Sequence, residues 1–248
     1  MTTEKVAIII PALNEELALP PLLTEIPPDC VQWIFVIDNG STDATATVAK
    51  GVGATVVSEP QRGYGRACLR GFQSAQQAGA DILVFMDGDG SDDPADLALM
   101  LTPLLERRAD FVIGSRISER AERGAILAQA RLGNWLVSRM IQLFYGAHIH
   151  DIGSFRAIRC STLEHLAMRE MTYGWPVEMV VKAARAGYRI LEVPIHYRKR
   201  SHGQSKVAGT ITGSIKAAYY MLSTTLKYAG TKNSTRISVV QEAQKTHV

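Results

Sequence analysis

The sequence predicts an α/β fold with a mainly parallel sheet flanked by helices, and three observations support this prediction. Short, continuous apolar runs rich in Val and Ile recur along the first half of the chain. Helix-like segments separate these runs, and such alternation is typical of parallel sheets that are buried on both faces. A polar segment follows each run, at the strand ends where ligands bind in sheets of this kind. We therefore expect a binding site along the carboxyl edge of the sheet.

The elements can be assigned in chain order. Five strands are predicted in the first half, at 5–10, 31–38, 54–58, 81–87 and 110–116. The helix-like segments between them cover about 15–26, 42–51, 64–78 and 94–107. The second half contains a helix at 125–145, a strand or turn entering a short helix at 150–159, a helix at 175–187, a half-exposed strand at 189–198 and a helix at 209–229. With no repeat or low-complexity linker between these elements, we expect a single domain.

Composition and charge exclude several classes of protein. The 248 residues include 27 Lys and Arg against 24 Asp and Glu, and the net charge of +3 gives no support to nucleic-acid binding. The three cysteines match no zinc or disulfide spacing. The N-terminus lacks the pattern of a signal peptide, and no apolar run approaches the length of about 18 residues that spans a membrane. We therefore expect a cytoplasmic protein without a membrane-spanning helix.

The segment 87–93, DGDGSDD, places four aspartates at the end of a predicted buried strand. Like charges so close together are costly unless a cation neutralises them. The EF-hand spacing for calcium is absent, since Asp92 and Ala98 stand where Gly and Glu are required. The pair Asp87 and Asp89 can instead hold Mg²⁺ or Mn²⁺ on a diphosphate.

Two features of this region have alternative interpretations. Asp92 or Asp93 could simply cap the helix that begins near Pro94. The segment 63–68, GYGRAC, begins like a dinucleotide-binding fingerprint. However, Cys68 stands at the third glycine position and the segment follows the third strand, so NAD binding is not expected. Its glycines allow either a close approach to a ligand or a tight turn.

Six segments carry a resemblance to a known family. They are IIIPALNEE, VIDNGSTDAT, GYGRACLRGF, FMDGDGSDDP, IGSR and RSHGQSK, in this order along the chain. The chain resembles family 2 glycosyltransferases over about residues 5–230, and within them the dolichyl- or polyprenyl-phosphate mannosyl- and glucosyltransferases. The resemblance implies a GT-A fold, a UDP- or GDP-hexose donor, a divalent metal (Mg²⁺ or Mn²⁺) and transfer with inversion at the anomeric carbon.

The resemblance also assigns residues to the donor side of the site. Asp87 and Asp89 would be the metal ligands. The residues expected to bind the nucleotide sugar are Pro11, Ala12, Asn14, Glu15, Asp38, Asp87, Gly88, Asp89 and Arg116. Two positions depart from the family pattern, because Asn39 replaces the second Asp of a paired-Asp motif and Ser91 replaces a Gln.

The acceptor side can be argued from chemistry. A hydroxyl acceptor needs a general base, whereas a lipid phosphate is already anionic and needs cationic groups to position it. The segment 189–206 carries several such groups around a single Glu. The resemblance places Arg131, Arg200, Ser205 and Lys206 at the acceptor phosphate, and it makes Asp89, Arg131 and Arg200 the candidate catalytic residues.

These assignments divide the expected domain. Residues 1–230 form the GT-A domain, with a nucleotide-binding half at about 1–116 and an acceptor half at about 117–230, followed by a polar tail at 231–248. The helix at 209–229 has an apolar face that could lie in a membrane interface, with lysines near the headgroups. The expected partners are thus a nucleotide sugar, a polyprenyl phosphate acceptor and, through peripheral contact, the inner face of the membrane.

Two other functions stay open at this level. A family member acting on a soluble or protein acceptor would need a general base, for which Asp92, Asp93 and Asp151 are candidates. A non-catalytic module would only bind a nucleotide sugar. Glu178 could be catalytic or structural, and Trp175 could stack on a sugar or isoprenoid or pack in the core.

Overall fold

The computed structural model describes residues 4–200 and 211–229, and within them seven strands form one sheet. The strands are β1 (Val6–Ala12), β2 (Trp33–Asp38), β3 (Thr55–Ser58), β4 (Ile82–Phe85), β5 (Phe111–Ser115), β6 (Arg156–Arg159) and β7 (Ile190–Pro194). Their order across the sheet is β3–β2–β1–β4–β6–β5–β7. The predicted α/β fold with a mainly parallel sheet is confirmed.

Strand β6 is the exception to the parallel arrangement. It pairs antiparallel with both β4 and β5, so that Ala157 lies opposite Val84 on one side and Val112 on the other. The segment 150–159, which the sequence left as a strand or a turn, therefore enters the sheet from the carboxyl edge of its neighbours. As a consequence, the residues just before β6 join the loops at that edge.

Eight helices cover the sheet in the described part of the chain. They are α1 (Leu19–Glu25), α2 (Thr45–Gly51), α3 (Tyr64–Gln77), α4 (Leu97–Leu105), α5 (Ala128–Tyr145), α6 (Cys160–Leu166), α7 (Trp175–Arg185) and α8 (Ile211–Lys227). Each predicted helix is present. Helix α1 begins four residues later than the predicted start at 15, because Asn14 has a positive φ of 52° and the chain turns before the helix.

Two apolar layers, one on each face of the sheet, form the core. Along β1, Ala7 and Ile9 point into the layer covered by α3, α5 and α7, while Ile8 and Ile10 point into the layer covered by α1 and α4. Side chains of a strand alternate between its faces, so burial on both faces produces the continuous apolar runs seen in the sequence. Helix α3 lies so close to the sheet that a Cβ at Gly71 would stand 2.2 Å from Ile9.

The glycines in segment 63–68 allow close contact within the chain itself. A Cβ at Gly65 would lie 2.2 Å from the carbonyl oxygen of Glu170, so only glycine fits there without a shift of backbone. The loop before α7 therefore packs directly on the start of α3. This contact explains the glycine without a bound ligand.

Some predictions cannot be compared with the structure. Ser205, Lys206 and the tail at 231–248 lie outside the described residues. Within 4–200 and 211–229, no helix is both long enough and apolar enough to cross a bilayer.

Candidate active site

Carboxylates converge in the loop that follows β4. The side chain of Asp92 accepts a hydrogen bond from the backbone N–H of Asp87 at 3.2 Å. Asp89 accepts from the backbone N–H of Ser91 at 2.9 Å and from the Ser91 hydroxyl, so Ser91 orients Asp89. Burial, together with the charge of Asp89, raises the pKa of Asp87 to about 6. The loop thus holds closely spaced acidic groups whose ionisation a neighbouring cation would favour.

Asp92 is buried inside the loop, whereas the interpretation of this residue as a helix cap implied a position at the surface. It is completely buried, and its second carboxylate oxygen has no hydrogen-bond partner among the described residues. Burial and then the charges of Asp87 and Asp89 raise its pKa well above the usual range. A short β-bridge to Tyr197 holds Asp92 inside the loop. The helix cap is Asp93, which accepts from the N–H of Ala95 at 3.0 Å.

Arg200 joins two of the loops at this edge. Its guanidinium lies 2.7 Å from a carboxylate oxygen of Asp89 and 3.1 Å from one of Glu15. Glu15 follows β1 and Asp89 follows β4, while Arg200 comes from the segment after β7. Arg200, from the segment after β7, is therefore in direct contact with the loop at 87–93, where the metal site is predicted.

Arg116 and Asp151 form a second ion pair at the same edge. The side chain of Arg116 donates to both oxygens of the Asp151 carboxylate at 2.9 and 2.7 Å, and its backbone N–H donates as well. Burial alone would raise the pKa of Asp151, but the charge and hydrogen bonds of Arg116 lower it. The guanidinium also stacks over Tyr197, 5.3 Å from the ring centre. Both oxygens of Asp151 are therefore engaged by Arg116, and this argues against a role for Asp151 as a general base.

The loops after β1 and β2 are joined by neutral hydrogen bonds. The Asn14 side chain accepts from the N–H of Thr42 at 2.8 Å, and its own N–H donates to the Ser41 hydroxyl at 3.0 Å. The N–H of Ser41 in turn donates to Asp38 at 3.0 Å. These bonds hold Asp38 and Asn14 side by side at the edge of the sheet.

The apolar residues assigned to the nucleotide lie beneath these loops. Pro11 and Ala12 end β1, and Ala12 pairs with Asp38 across the sheet. Gly88 packs against this strand, where a Cβ would come within 3.2 Å of Ile10. A larger residue at position 88 would therefore push the loop at 87–93 away from β1.

Asn39, the departure from the paired-Asp pattern, has a structural role. Its amide nitrogen donates to the carbonyls of Glu59 and Gln61 at 2.9 and 2.8 Å, while its amide oxygen accepts from the N–H of Gly63 at 2.8 Å. An aspartate could make only the last of these bonds, because an ionised carboxylate accepts but does not donate. Asn39 thus fixes the loop that leads into α3.

Arg131 is the predicted residue that the structure does not bring to the cluster. It is exposed on α5, and no contact with Asp87, Asp89 or Arg200 is found within the described residues. The sequence interpretation that groups Arg131 with Arg200 is therefore not reproduced in this geometry. The physical reason is that α5 begins only at Ala128 and turns Arg131 toward solvent.

Glu178 and Trp175 are structural. Glu178 is buried and accepts from the backbone N–H groups of Arg169 and Glu170, and its pKa is lowered because these bonds and those from Lys182 and Tyr228 outweigh burial. Trp175 is buried in the core. Neither side chain faces the cluster of carboxylates.

Sequence reasoning missed three polar residues around Asp87. The hydroxyl of Tyr64 donates to Asp87 at 3.4 Å, and the hydroxyl of Ser154 reaches Asp92 at 3.5 Å. Arg156 is buried nearby on β6, with its guanidinium donating to the carbonyls of Gly153 and Pro176. The only available signal was a charged residue inside an apolar run, in the segment SFRAIR.

Asp87 and Asp89 fit a divalent metal by the chemistry of their side chains. No group of three or more His, Cys, Asp or Glu residues converges on a common point among the described residues. A Mg²⁺ site that serves a diphosphate needs only one or two carboxylates, since substrate oxygens and water complete the coordination. The orphaned buried oxygen of Asp92 and the raised pKa values of Asp87 and Asp92 are what a further cation at this loop would relieve.

Comparison with known proteins identifies the family of this chain. The family profile described as Glycosyl transferase family 2 matches residues 7–167. An uncharacterized glycosyltransferase of Mycobacterium tuberculosis is 37% identical over 88% of this chain and 96% of its own length. An undecaprenyl-phosphate mannosyltransferase of Micrococcus luteus is 34% identical over 84% of this chain and 90% of its own length.

The fold also has a solved counterpart. The crystal structure of glucosyl-3-phosphoglycerate synthase from Mycobacterium tuberculosis, in complex with Mn²⁺, uridine diphosphate and phosphoglyceric acid, aligns with a TM-score of 0.73 at 22% identity. The alignment covers 94% of this chain and 81% of that one. At 22% identity the similarity is evidence for the fold alone, and it confirms the GT-A fold that the resemblance implied. With the family profile spanning most of the sheet, this chain belongs to glycosyltransferase family 2.

Proposed function

We propose that this protein transfers a hexose, glucose or mannose, from a UDP- or GDP-sugar to a polyprenyl phosphate, with inversion at the anomeric carbon. The observation that carries this proposal is the contact of Arg200 with Asp89 at 2.7 Å. In this contact a guanidinium, a group suited to phosphate, lies beside carboxylates that suit a metal diphosphate. The 34% identity to the undecaprenyl-phosphate mannosyltransferase supports the same class of acceptor.

The donor side rests on loops that are already ordered. Hydrogen bonds between the loops after β1 and β2 hold Asn14 and Asp38 in place, so little ordering is left to occur on binding. Pro11 and Ala12 end β1, and Gly88 packs against that strand beneath these loops. We assign the nucleoside to these residues and the diphosphate to the loop at 87–89.

Asp87 and Asp89 would hold the metal ion. When bound, a divalent cation neutralises charge on the diphosphate as it departs from the sugar. In the structure Arg200 occupies one carboxylate of this pair, so the donor complex and Arg200 compete for Asp89. Release of Arg200 from Asp89 would free its guanidinium for a second phosphate.

The acceptor step needs no general base. A phosphate oxygen of the acceptor forms the new bond to the anomeric carbon while the bond to the diphosphate oxygen breaks, and both groups remain anionic throughout. The task of the protein is to hold two like-charged groups in line on opposite faces of the sugar. Arginine suits this task because its planar fork binds two phosphate oxygens at once.

The test is an acceptor panel with purified full-length protein. Short polyprenyl phosphate and the matching polyprenol, which lacks only the phosphate, are each incubated with UDP- and GDP-hexoses and Mn²⁺ or Mg²⁺. We expect a glycosylated product from the phosphate alone, with inverted anomeric configuration. Equal transfer to the polyprenol would contradict the proposal, because it would require a base for the hydroxyl.

A soluble acceptor is the second candidate. The structural neighbour was solved with phosphoglyceric acid, a small acceptor that also carries a phosphate. The same Arg200 could bind such a molecule. Adding phosphoglycerate and other soluble phosphates to the panel separates the two candidates, since the lipid proposal expects product only with the polyprenyl chain.

A further inference from the structure

Helix α5 carries a stripe of large apolar side chains that face solvent. The stripe, called here the α5 ridge, comprises Leu132, Trp135, Leu136, Leu143 and Phe144, which are 67%, 54%, 41%, 78% and 39% exposed. Their spacing places them along one side of the helix. Five of the eleven large apolar residues found exposed in the described chain belong to this one helix. Exposed apolar side chains concentrated in this way mark a surface that binds something.

Among the described residues, the core contacts of α5 come from the other side of the helix. The opposite side of α5 provides Val137, Ile141 and Tyr145 to the core, where all three are buried. The hydroxyl of Tyr145 also donates to the carbonyl of Thr225 on α8. Helix α5 is thus fixed by its inner face, and the ridge points outward from a rigid support.

Helix α8, which the sequence favoured for membrane contact, divides its apolar side chains between the core and solvent. Leu222 packs against the core together with Met221 and Tyr228, whereas Leu226 is exposed. Thr224 and Thr225 are buried as well. Among the described side chains of these two helices, α5 has five exposed large apolar residues and α8 has two, Tyr219 and Leu226.

The charge around the ridge favours an anionic partner. Helix α5 has 18 residues and α8 has 17, and neither helix contains Asp or Glu. Their charged residues are Arg131, Arg139, Lys216 and Lys227, all exposed. A second copy of the chain docking through the same face would bring like charges together, whereas anionic lipid headgroups attract them.

We propose that the α5 ridge docks this protein on the surface of an anionic bilayer. Apolar residues of the ridge enter the boundary between headgroups and acyl chains, and Trp135 lies at the headgroup level that tryptophan prefers. Arg131, adjacent to Leu132, then faces the lipid phosphates at the surface. Only the identity of the acceptor lipid rests on the proposed function, because docking itself needs no transfer.

Intrinsic fluorescence offers a direct readout. Of the three tryptophans, Trp175 is buried and Trp33 is half-buried, whereas Trp135 is exposed. Full-length protein is mixed with vesicles of phosphatidylcholine and phosphatidylglycerol at 3:1, and with pure phosphatidylcholine as the neutral control. We expect a blue shift with the anionic vesicles only, reversed by high salt. Trp135→Phe should abolish the shift, and a shift that persists in this variant would overturn the proposal.

Co-sedimentation measures the binding itself. The double variant Leu132→Ser with Leu143→Ser should lower vesicle binding at least tenfold, whereas Val52→Ser, an exposed apolar residue on the α2 side, should leave it unchanged. Circular dichroism and binding of uridine or guanosine diphosphate check that the variants are folded. Undiminished vesicle binding by the folded double variant would overturn the proposal.

Two further outcomes separate this inference from its alternatives. Sedimentation velocity that shows a dimer of the wild-type chain, lost in the double variant, would assign the ridge to a second copy and overturn membrane docking. Vesicle binding that depends on the ridge, without any transfer to polyprenyl phosphate, would support the inference while the proposed function fails. Transfer to a short polyprenyl phosphate in detergent, without vesicle binding, would support the proposed function and overturn membrane docking.

Discussion

The two sides of the candidate site are held together by different forces. On the side of β1 and β2, neutral hydrogen bonds such as those of Asn14 and Asn39 tie the loops to each other. On the side of β4, β5 and β7, ion pairs join distant segments, as in Arg116 with Asp151 and Arg200 with Asp89. A neutral network gives a fixed surface, whereas the guanidinium of Arg200 is partly exposed and can exchange its anion for a phosphate. The Asp151 carboxylate is fully buried, so we expect it to remain with Arg116. The comparison predicts a rigid surface at β1 and β2 and an exchangeable ion pair at Arg200.

Removal of Asp89 should have the largest effect. Asp89→Ala should lower transfer activity by about 10³-fold or more, because the charge of the departing diphosphate is no longer neutralised through this carboxylate. The fold should survive, since the substitution relieves repulsion from Asp87 and Asp92. Initial rates and a thermal melt measure the two effects. Asp93→Asn in the same loop is the control, and full activity of the wild type in excess EDTA would contradict the expectation.

Breaking the buried ion pair should affect stability next. Asp151→Asn leaves the Arg116 guanidinium without its anion, and loss of one partner of a buried pair costs about 3–5 kcal/mol. Urea denaturation of both proteins at neutral pH measures the difference. An unchanged midpoint would show that Arg116 finds another anion in the site.

The same pair predicts a dependence on pH. The pKa of Asp151 is lowered from 3.8 in the folded protein, so its contribution to stability is present in full above 3.8 and is lost as the pH falls through the lowered value. The difference between wild type and Asp151→Asn should therefore shrink in acid. A constant difference down to pH values well below 3.8 would argue against the charge of Asp151 as its origin.

Arg200 tests whether the acceptor side is exchangeable. Arg200→Ala should lower kcat/KM for the acceptor by about 10²-fold without weakening the binding of the nucleotide, in line with the loss of a charged hydrogen-bonding partner of the acceptor. Arg200→Lys should restore only part of it, because lysine lacks the bidentate fork. The neighbouring Arg198, paired with Glu25 and Asp93, provides the matched control as Arg198→Ala.

A binding measurement sharpens the same point. Because Arg200 occupies Asp89, Arg200→Gln should bind Mn²⁺ several-fold more tightly than the wild type when no nucleotide is present. Titration followed by the paramagnetic signal of free Mn²⁺ gives the affinities. Weaker binding in the variant would mean that Arg200 supports the metal loop rather than competing with the ion.

The neutral side should show the smallest effect. Asn39→Asp removes two donated hydrogen bonds and sets a negative charge beside the carbonyls of Glu59 and Gln61, which should cost about 1–3 kcal/mol. A thermal melt measures the loss, with Gln73→Glu on the exposed side of α3 as control. Equal stability of Asn39→Asp and wild type would show that the loop has an alternative arrangement.

Local patterns in the sequence determined most of the secondary structure and the position of the aspartate-rich loop after β4. Runs such as Ile8–Ile10 identify strands buried on both faces, and a strand that ends in Asp87 and Asp89 places carboxylates at the ligand edge of a parallel sheet. These conclusions need only the periodicity of a strand and the direction of its chain. The resemblance to the family added Arg200 to the site, but it did not indicate which side chains Arg200 contacts.

Tertiary structure alone decided which side chains meet and which faces stay exposed. The contact of Arg200 with Glu15 joins residues 185 positions apart, and the burial of Asp92 depends on a bridge to Tyr197. Helix α8 turns Leu222 inward and α5 turns Leu132 outward, although both helices have apolar stripes. Periodicity shows that a helix has an apolar face, but only the packing of all neighbouring elements decides whether the domain itself covers that face.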